Sequence, residues 1–277
     1  MHLSIITINY NNALGLERTL GSVAEQTYGD IEHIIVDGGS SDDSVGIIRE
    51  YASRQAFPVI WSSERDKGIY NAMNKGIGKA TGDYIQILNS GDMLAAPDVT
   101  ERMMAAITNL QSTGKRSDFV YGNMIKKDYS SGRIIGKSKQ VEYSLRNYYS
   151  GTMNHDCCYF HKTLFTTYGL YDESLKIVSD WKWFLQAIGL GQLQPEYVDI
   201  DMTVFDASGI SETNLELRNL ERRQVLERLL PPAILSDYDA HAFEVEQMNR
   251  LRRRHLYPLV YFIERVLFKL EKWQILK

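Results

Sequence analysis

The fold is decided by residues 3–12, LSIITINYNN, in which a nearly uninterrupted apolar run ends in four polar side chains. Similar short apolar runs recur at 34–36, 59–61, 84–88 and 119–121, and segments with the apolar spacing of helices separate them. Strands and helices that alternate in this way form parallel βαβ units with right-handed crossovers. Strands that are apolar throughout indicate a sheet covered on both faces. The first 125 residues therefore predict an α/β fold with a mostly parallel sheet.

The alternation stops after about residue 125, so the rest of the chain is organised differently. Four further elements are predicted there: a polar hairpin at 125–141, a strand at 157–160, a helix at 181–188 and an edge strand at 197–205. From Asn214 onward the spacing is helical, with breaks at Pro231-Pro232 and near Pro258. We predict a body of residues 1–212 and a helical extension of residues 213–277.

Composition excludes several classes of protein. With 44% hydrophobic and 11% aromatic residues, the 277-residue chain is too apolar for a disordered protein and long enough for a large core. The two cysteines are adjacent, at Cys157 and Cys158, which excludes a disulfide framework and a cysteine-based zinc site. The sequence contains no apolar run of about 18 residues and no signal-peptide pattern. We expect a cytoplasmic protein.

Charge is distributed unevenly along the chain. Residues 241–277 carry eight basic and four acidic side chains, whereas the whole chain has a net charge of −4. The body is therefore acidic, which argues against a nucleic-acid-binding protein. Within 250–275 the apolar residues follow helical spacing and charged residues fill the positions between them. Such a segment can lie peripherally on an anionic membrane surface, or it can pack on the body or in a homo-oligomer.

Polar residues cluster where four of the predicted strands end. In an open parallel sheet, ligands bind at the carboxyl ends of the strands. The clusters are Asn9-Tyr10-Asn11-Asn12, the run from Asp37 to Ser44, the run from Glu64 to Gly68, and Asn89-Ser90-Gly91-Asp92. Turn formation and helix capping would explain one such cluster. Four clusters at one edge predict a ligand site that contains Asp37, Asp66 and Asp92.

The glycines of this pattern match neither of two common phosphate-binding loops. A dinucleotide-binding dehydrogenase has a G-x-G-x-x-G turn after its first strand, where this chain has YNNALG at 10–15. No Walker A sequence is present. A divalent cation bound by a carboxylate can hold a diphosphate instead. Asp92 is the expected ligand, and Gly91 beside it lets a phosphate approach the backbone closely.

In the order of its motifs the chain resembles the inverting, GT-A-fold glycosyltransferases of family 2. The resemblance covers residues 3 to about 210. It rests on SIITINYN (4–11), DGGSSD (37–42), DKGIYNAMNKG (66–76), GDYI (82–85), LNSGD (88–92), and GLYDE (169–173) followed by Ser179-Asp180-Trp181. It implies a GT-A fold with a Rossmann-like central sheet, in which residues 1–125 bind the nucleotide and residues 126–212 the acceptor.

The resemblance also implies a role for particular residues. Tyr10, Asp37 and Asp66 would line the nucleotide pocket, with Asp37 accepting a hydrogen bond from a uracil-type N–H. Asn89, Ser90, Gly91 and Asp92 stand in the place of the family's D-x-D motif. The first three would contact the nucleotide-sugar, and Asp92 would hold Mn²⁺ or Mg²⁺, although it is the one acidic residue of the four. Asp180 would be the catalytic base, in a place where the family often has Glu-Asp.

The implied activity is transfer of a sugar from a nucleotide-diphosphate donor, a UDP-sugar, to a glycan or lipid-linked acceptor in polysaccharide biosynthesis. One carboxylate can take the proton of the acceptor hydroxyl, and a metal ion can stabilise the departing diphosphate. Inversion requires this base and no enzyme nucleophile. His155 is expected near the acceptor or the phosphates, and Trp181 or Trp183 next to an acceptor sugar. Residues 207–211 resemble a loop that closes over the donor phosphates.

Two alternatives remain open from the sequence. A single acidic residue in the metal motif is compatible with a catalytically weak glycosyltransferase-like protein that serves as a binding or scaffold protein at the membrane. A nucleotidyltransferase shares the α/β layout, but it would have a glycine-rich basic loop after the first strand, and the sequence at 10–15 is not of that kind.

Overall fold

The computed structural model describes residues 1–206, 214–253 and 257–272. The chain forms two compact units, Met1–Arg223 and Gln224–Lys277. The first unit contains the sheet and every residue of the predicted site. The described part of the second unit is helical.

A mixed sheet of nine strands, counted over the described residues, forms the centre of the first unit. Its strands are β1 (Leu3–Asn9), β2 (Ile31–Asp37), β3 (Val59–Ser63), β4 (Tyr84–Ile87), β5 (Met93–Leu94), β6 (Phe119–Asp128), β7 (Arg133–Lys137), β8 (Cys158–His161) and β9 (Glu196–Asp206). They lie in the order β3-β2-β1-β4-β8-β6-β9-β5, with β7 paired to β6. Strands β1 to β4 are mutually parallel, and β1 and β2 are buried along their whole length. The predicted α/β fold with a mostly parallel sheet is confirmed.

Strands from the second half of the chain complete the sheet. Strand β8 is antiparallel and lies between β4 and β6. Strand β9 pairs with β6 on one side and with β5 on the other, so the prediction of an edge strand there is wrong. Strand β5 has two residues, and so short a strand has no periodicity that the sequence could show.

Helices cover both faces of the sheet. In the first unit they are α1 (Ala13–Ala24), α2 (Ser44–Arg54), α3 (Ile69–Lys79), α4 (Val99–Ser112), α5 (Leu145–Ser150), α6 (Thr163–Tyr168) and α7 (Ser179–Phe184), with a 3₁₀ turn at His155–Cys157 and a π-helical turn at Leu185–Gly189. Leu16 of α1 and Ile48 of α2 pack with Ile35 of β2. Ile35 pairs with Thr7, and because side chains alternate along a strand, the neighbouring Ile6 points to the opposite face, toward α3.

Helix α3 approaches β1 closely because Gly76 has no side chain. A Cβ atom added at Gly76 would lie 2.4 Å from Cγ2 of Ile6, a buried core residue. Two residues further along the same helix, a Cβ at Gly78 would meet nothing within 4 Å. The sequence pattern G-I-G therefore holds one glycine that packing requires and one that it does not.

We expect Gly76→Ala to lower the free energy of unfolding by about 1–3 kcal/mol, because the helix must move away from the sheet. Gly78→Ala is the matched control, and alanine there should stabilise the helix by up to about 1 kcal/mol. Urea unfolding of the two variants would measure both changes. Equal effects of the two substitutions would contradict the close approach at Gly76.

The C-terminal helices are α8 (Leu215–Leu229), α9 (Pro232–Arg253) and α10 (Tyr257–Lys272). Helix α9 begins at Pro232, which confirms the break predicted at Pro231-Pro232. The break predicted near Pro258 adjoins residues 254–256, which lie outside the described residues. Several large apolar side chains of α10 are exposed, among them Phe262 at 64% and Phe268 at 67%. None of the helices within the described ranges combines the length and the apolar character needed to cross a bilayer.

Candidate active site

The polar clusters that follow β1 to β3 lie together at one edge of the sheet, as predicted. Asn9 and Asp37 are paired at the last positions of β1 and β2, and Asn9 Nδ2 donates to Asp37 Oδ1 over 2.8 Å. A Cβ atom added at Gly38 would lie 3.2 Å from Cδ2 of Tyr10 and 3.3 Å from Oδ2 of Asp66. Tyr10 is 67% exposed. Gly38 therefore leaves a notch between an exposed aromatic ring and a carboxylate.

Asp37 is fully buried, and its carboxylate accepts five hydrogen bonds. Oδ1 accepts from Asn9 Nδ2 and the Ser40 hydroxyl, and Oδ2 accepts from the N–H groups of Gly39 and Ser40 and from the Ser63 hydroxyl. Burial opposes ionisation, but these donors outweigh it and hold the pKa of Asp37 below its ordinary value. Asp37 thus joins three strand ends. This differs from the direct contact with a nucleobase that is expected for Asp37. A nucleobase could reach the carboxylate only if one of these hydrogen-bond donors moved away.

Asp66 follows β3 and forms an ion pair with α3. Lys75 Nζ lies 2.6 Å from Asp66 Oδ1 and 2.8 Å from Oε1 of Glu64. Hydrogen bonds to these two carboxylates, with Asp66 the larger contributor, raise the pKa of Lys75. The cation of α3 therefore holds Asp66 beside the Gly38 notch.

The segment 66–76 is joined to the segment 169–173 by Asn74. Its Nδ2 donates to the Tyr171 carbonyl over 2.9 Å and to Glu173 Oε1 over 3.0 Å, and its Oδ1 accepts from the Tyr171 N–H over 3.0 Å. Two motifs that lie about a hundred residues apart in the chain are in this way fixed to each other.

The turn after β4 is attached to α1. The backbone of Gly91 has φ +110°, which side chains other than hydrogen rarely allow. Its N–H donates to the Thr19 hydroxyl over 2.9 Å, and that hydroxyl donates to the Asp92 carbonyl over 2.7 Å. Asn12 Nδ2 donates to the Ser90 carbonyl over 3.0 Å. The turn is therefore held in one geometry by α1 and by Asn12, which precedes it.

Asp92 is buried among other carboxylates. The N–H of Asp206 donates to its Oδ1 over 3.0 Å, and Arg18 Nη2 donates to Asp206 Oδ2 over 3.2 Å. The nearby Asp156 accepts a hydrogen bond of 2.6 Å from the Thr203 hydroxyl. Burial, and then the charge of Asp156, raise the pKa of Asp92 well above its ordinary value, and burial raises the pKa of Asp156 as well. Neither Asp156 nor Asp206 is among the site residues predicted from the sequence, although both stand next to strand ends.

Both carboxylate oxygens of Asp180, at the start of α7, have a hydrogen-bond donor. The Tyr70 hydroxyl donates to Oδ1 over 2.8 Å, and His155 Nδ1 lies 3.1 Å from Oδ2. Across the imidazole ring, Asn89 Nδ2 donates to His155 Nε2 over 3.0 Å. An amide N–H can only donate, so in this arrangement Nδ1 carries the proton and donates to Asp180. Asp180 is thereby connected to the turn that bears Asp92.

This chain of hydrogen bonds favours the ionised form of Asp180. Burial disfavours its charge, but the hydrogen bonds from His155 and from the hydroxyl of Tyr70 outweigh burial and lower the pKa of Asp180. Burial likewise disfavours charge on His155, yet the bond to Asp180 and the charges of Asp156 and Asp92 raise the pKa of His155. Asp180 is 19% exposed, so a substrate hydroxyl can reach the carboxylate.

We expect Tyr70→Phe to raise the pKa of Asp180 and to cost about 1 kcal/mol of unfolding free energy, because a hydrogen bond to the ionised carboxylate is lost. Tyr171→Phe is the matched control. The Tyr171 ring lies 5.7 Å from that of Tyr70, and its buried hydroxyl has no hydrogen-bond partner among the described residues. Removing that hydroxyl should leave the pKa of Asp180 unchanged and stability unchanged or higher. NMR titration of the carboxyl groups would measure the pKa of Asp180, and urea unfolding would measure stability. Equal effects of the two substitutions would contradict a specific role of the Tyr70 hydroxyl in keeping Asp180 ionised.

Helix α8 fixes the loop that precedes Asp180. The buried carboxylate of Glu221 accepts hydrogen bonds from the N–H groups of Lys176 (2.7 Å) and Ile177 (2.9 Å). Sequence reasoning did not find this contact, because nothing in the helical pattern distinguishes Glu221 from a solvent-exposed glutamate.

Trp181 is a core residue, which corrects its expected place beside an acceptor sugar. It is 2% exposed, and its indole N–H donates to the Tyr148 carbonyl over 2.7 Å. The guanidinium of Arg222 lies 4.9 Å from the ring centroid. Trp183 is buried too, and its N–H donates to the Gly169 carbonyl. Both rings instead anchor α7, and with it Asp180. The loop predicted at 207–211 lies outside the described residues.

The residues around Asp92 fit a divalent cation that is shared with a substrate. Over the described ranges, no three His, Cys, Asp or Glu side chains are placed so as to form a complete metal site. Mg²⁺ sites, however, commonly use one or two carboxylates together with substrate phosphates and water. Asp92 supplies one carboxylate, Asp206 lies directly beside it, and Asp156 adds to the negative charge. A cation there would relieve the repulsion that raises the two buried pKa values.

A curled α/β sheet with carboxylates gathered at the ends of its parallel strands is the architecture of a GT-A-fold glycosyltransferase. The model of the family described as glycosyl transferase family 2 matches residues 4–169. The chain belongs to this family, and the predicted family membership and glycosyltransferase activity are confirmed.

Two bacterial relatives illustrate the membership. An uncharacterised glycosyltransferase of Mycobacterium tuberculosis is 32% identical over 235 residues, which are 83% of this chain and 85% of the relative. A PGL/p-HBAD biosynthesis glycosyltransferase of Mycobacterium bovis is 29% identical over 227 residues, which are 82% of this chain and 85% of the relative.

Solved structures show the same fold. Staphylococcus aureus TarS 1-349 in complex with UDP has a TM-score of 0.62 and 19% identity, over 91% of this chain and 74% of that one. The mannosyltransferase PcManGT from Pyrobaculum calidifontis, in complex with GDP-Man and Mn²⁺, has a TM-score of 0.60 and 16% identity, over 87% and 69% of the chains.

Proposed function

We propose that this glycosyltransferase is an inverting, metal-dependent enzyme that transfers a sugar from a UDP-sugar to a glycan or lipid-linked acceptor in polysaccharide biosynthesis. The observation that carries the proposal is the position of Asp180. Its carboxylate is kept ionised by Tyr70 and His155, its side chain is 19% exposed, and it is connected through His155 and Asn89 to the turn of Asp92. These contacts would set the proposed base at a fixed separation from the proposed diphosphate site.

The nucleotide would lie over the ends of β1 to β3. The exposed ring of Tyr10 offers a surface for the nucleobase. Because Gly38 has no side chain, the nucleotide can approach the backbone there. Asp66 would complete this pocket from the β3 side. Asp37 would act by holding Ser40 and Ser63 in place, because its own oxygens are occupied. A UDP donor is supported by the fold shared with TarS 1-349, which binds UDP.

The diphosphate would lie over the turn of Asn89, Ser90 and Gly91, with Asp92 as the protein ligand of the cation. When bound, Mn²⁺ or Mg²⁺ would stabilise the negative charge that develops on the departing nucleoside diphosphate. PcManGT was solved with Mn²⁺, which supports this assignment.

The acceptor hydroxyl would attack the anomeric carbon while Asp180 accepts its proton. The C–O bond to the new sugar forms on one face as the bond to the diphosphate breaks on the other, so the configuration inverts and no covalent enzyme intermediate is needed. Both nitrogens of His155 are engaged, by Asn89 and Asp180. We therefore assign His155 to positioning of the base rather than to acceptor binding.

We expect a thermal-shift screen of UDP, GDP, dTDP and CMP, with and without Mn²⁺, to select UDP in the presence of metal. A ligand at 100 times its Kd should add about 2.7 kcal/mol of stability. Asp92→Asn should remove the metal-dependent part of the shift. Asp180→Asn should keep the shift and lower transfer by about 10²–10⁴-fold.

Asp98→Asn, at an exposed surface carboxylate, is the control and should change none of these results. If no nucleotide shifts the wild-type protein, the donor assignment fails and the binding or scaffold alternative is favoured. If Asp180→Asn retains full transfer, Asp180 is not the base.

We also propose that α10 holds the enzyme at the inner face of the cytoplasmic membrane, where a lipid-linked acceptor is available. Leu259, Phe262 and Val266 share one face of α10 and are all exposed. The surrounding sequence 241–277 is basic, which suits anionic lipids. The PGL/p-HBAD relative supports a glycolipid context. Positions 254–256 and 273–275 of the predicted membrane segment lie outside the described residues.

The double variant Leu259→Glu with Phe262→Glu should lower co-sedimentation with phosphatidylglycerol vesicles by more than about tenfold, since two apolar side chains that would enter the membrane are replaced by charged ones. Phe268→Glu adds charge at an equally exposed ring on the opposite face and should retain most of the binding. If the wild type does not bind vesicles but forms a dimer that the double variant abolishes, this face of α10 is a homo-oligomer interface. The membrane proposal is then wrong.

A further inference from the structure

A second pocket lies at the opposite end of β9 from the candidate active site. Its walls come from residues 188 and 191–197, together with Gln140 and Tyr143. Its volume of about 540 Å³ falls within the roughly 300–1,000 Å³ of typical ligand sites. Strand β9 begins in this pocket at Glu196 and ends at Asp206 beside Asp92. At about 3.3 Å per residue, roughly 30 Å separates the two ends, so the pocket is distinct from the Asp92 site.

The lining side chains are those that recognise neutral sugars. Gln140, Gln192 and Gln194 offer amide donors and acceptors, and Glu196 offers a carboxylate. The rings of Tyr143 and Tyr197 offer aromatic surface. Sugars present hydroxyl groups at their edges and C–H groups on their faces, so amides beside aromatic rings suit both. No lysine or arginine is among the residues that line the pocket, which disfavours a phosphate or a nucleotide there.

Hydrogen bonds hold the two tyrosine rings of the pocket in place. The Tyr143 hydroxyl donates to the Tyr121 hydroxyl over 3.0 Å, and the Tyr197 hydroxyl donates to Asn123 Oδ1 over 2.8 Å. The Tyr121 and Tyr197 rings lie 5.4 Å apart. Because both hydroxyl groups are hydrogen-bonded to the protein, the rings are preorganised and a ligand need not order them.

We propose that this pocket binds a neutral oligosaccharide, as a holding site for acceptor or product glycan away from the reacting sugar. The proposal rests on the proposed function, because a glycan has to be the acceptor for such a site to matter. Binding here would keep a growing chain at the enzyme between transfers and would not require the donor.

The test uses the full chain and four neutral tetrasaccharides, of glucose, N-acetylglucosamine, galactose and mannose, in saturation-transfer NMR and calorimetry. We expect one of them to bind the wild type and Asp180→Asn equally. The double variant Gln192→Ala with Gln194→Ala should weaken binding by about tenfold, since two hydrogen-bonding amides are lost. Gln186→Ala, an exposed glutamine of the same segment outside the pocket, should bind as the wild type does.

Absence of binding by all four sugars at millimolar concentration overturns the proposal, and so does binding that survives the double variant. The donor screen separates this result from the proposed function. If the double variant keeps the nucleotide shift and loses the sugar, the pocket is a separate glycan site. If the sugar binds while no nucleotide does, the pocket stands and the proposed transferase chemistry fails.

Discussion

Burial of carboxylates at one edge of the sheet is the constraint on which the rest of the site depends. Asp37, Asp92 and Asp156 are buried and Asp180 nearly so, and an isolated buried charge costs several kcal/mol unless it is compensated. Asp37 is compensated by five donors, and Asp180 by an imidazole and a phenol. Asp92 and Asp156 are compensated less, and their pKa values rise. The uncompensated negative charge therefore lies at the turn after β4, where a cation or a proton has to offset it.

The antiparallel direction of β8 explains how residues from the second half of the chain reach this edge. Tyr84 pairs with His161 and Ile85 with Phe160, so β8 starts where β4 ends. His155 and Asp156 directly precede β8 and thus lie beside Asn89. Strand β9 runs parallel to β6, which brings its last residue, Asp206, to the same edge. A purely parallel sheet would have placed the residues before β8 at the opposite edge.

The sequence predicted the parallel half of the fold and the positions of the strand-end carboxylates, because both depend on local patterns. Apolar runs ending in polar clusters identify Asp37, Asp66 and Asp92 without any knowledge of packing. Contacts between distant segments have no such signal. The burial of Trp181, the saturation of Asp37 and the anchoring of residues 176–177 by Glu221 follow from tertiary packing alone. Resemblance named segments that the structure brings together, but it could not say which side chains are open to a ligand and which support them.

The departure of this chain from the family's D-x-D pattern has a structural reason at Asn89. An aspartate there would add another negative charge to a site that already lacks compensation. The amide donates to Nε2 of neutral His155, and its own Oδ1 has no partner among the described residues. If His155 becomes protonated, rotation of the amide would turn Oδ1 toward the new Nε2–H. An asparagine can therefore serve both charge states of the imidazole, whereas an ionised aspartate can only accept. If Asp180 is the base, as we propose, it gains a proton during transfer and the charge that it imposes on His155 changes. Asn89 would then follow that change without leaving the turn proposed to hold the diphosphate.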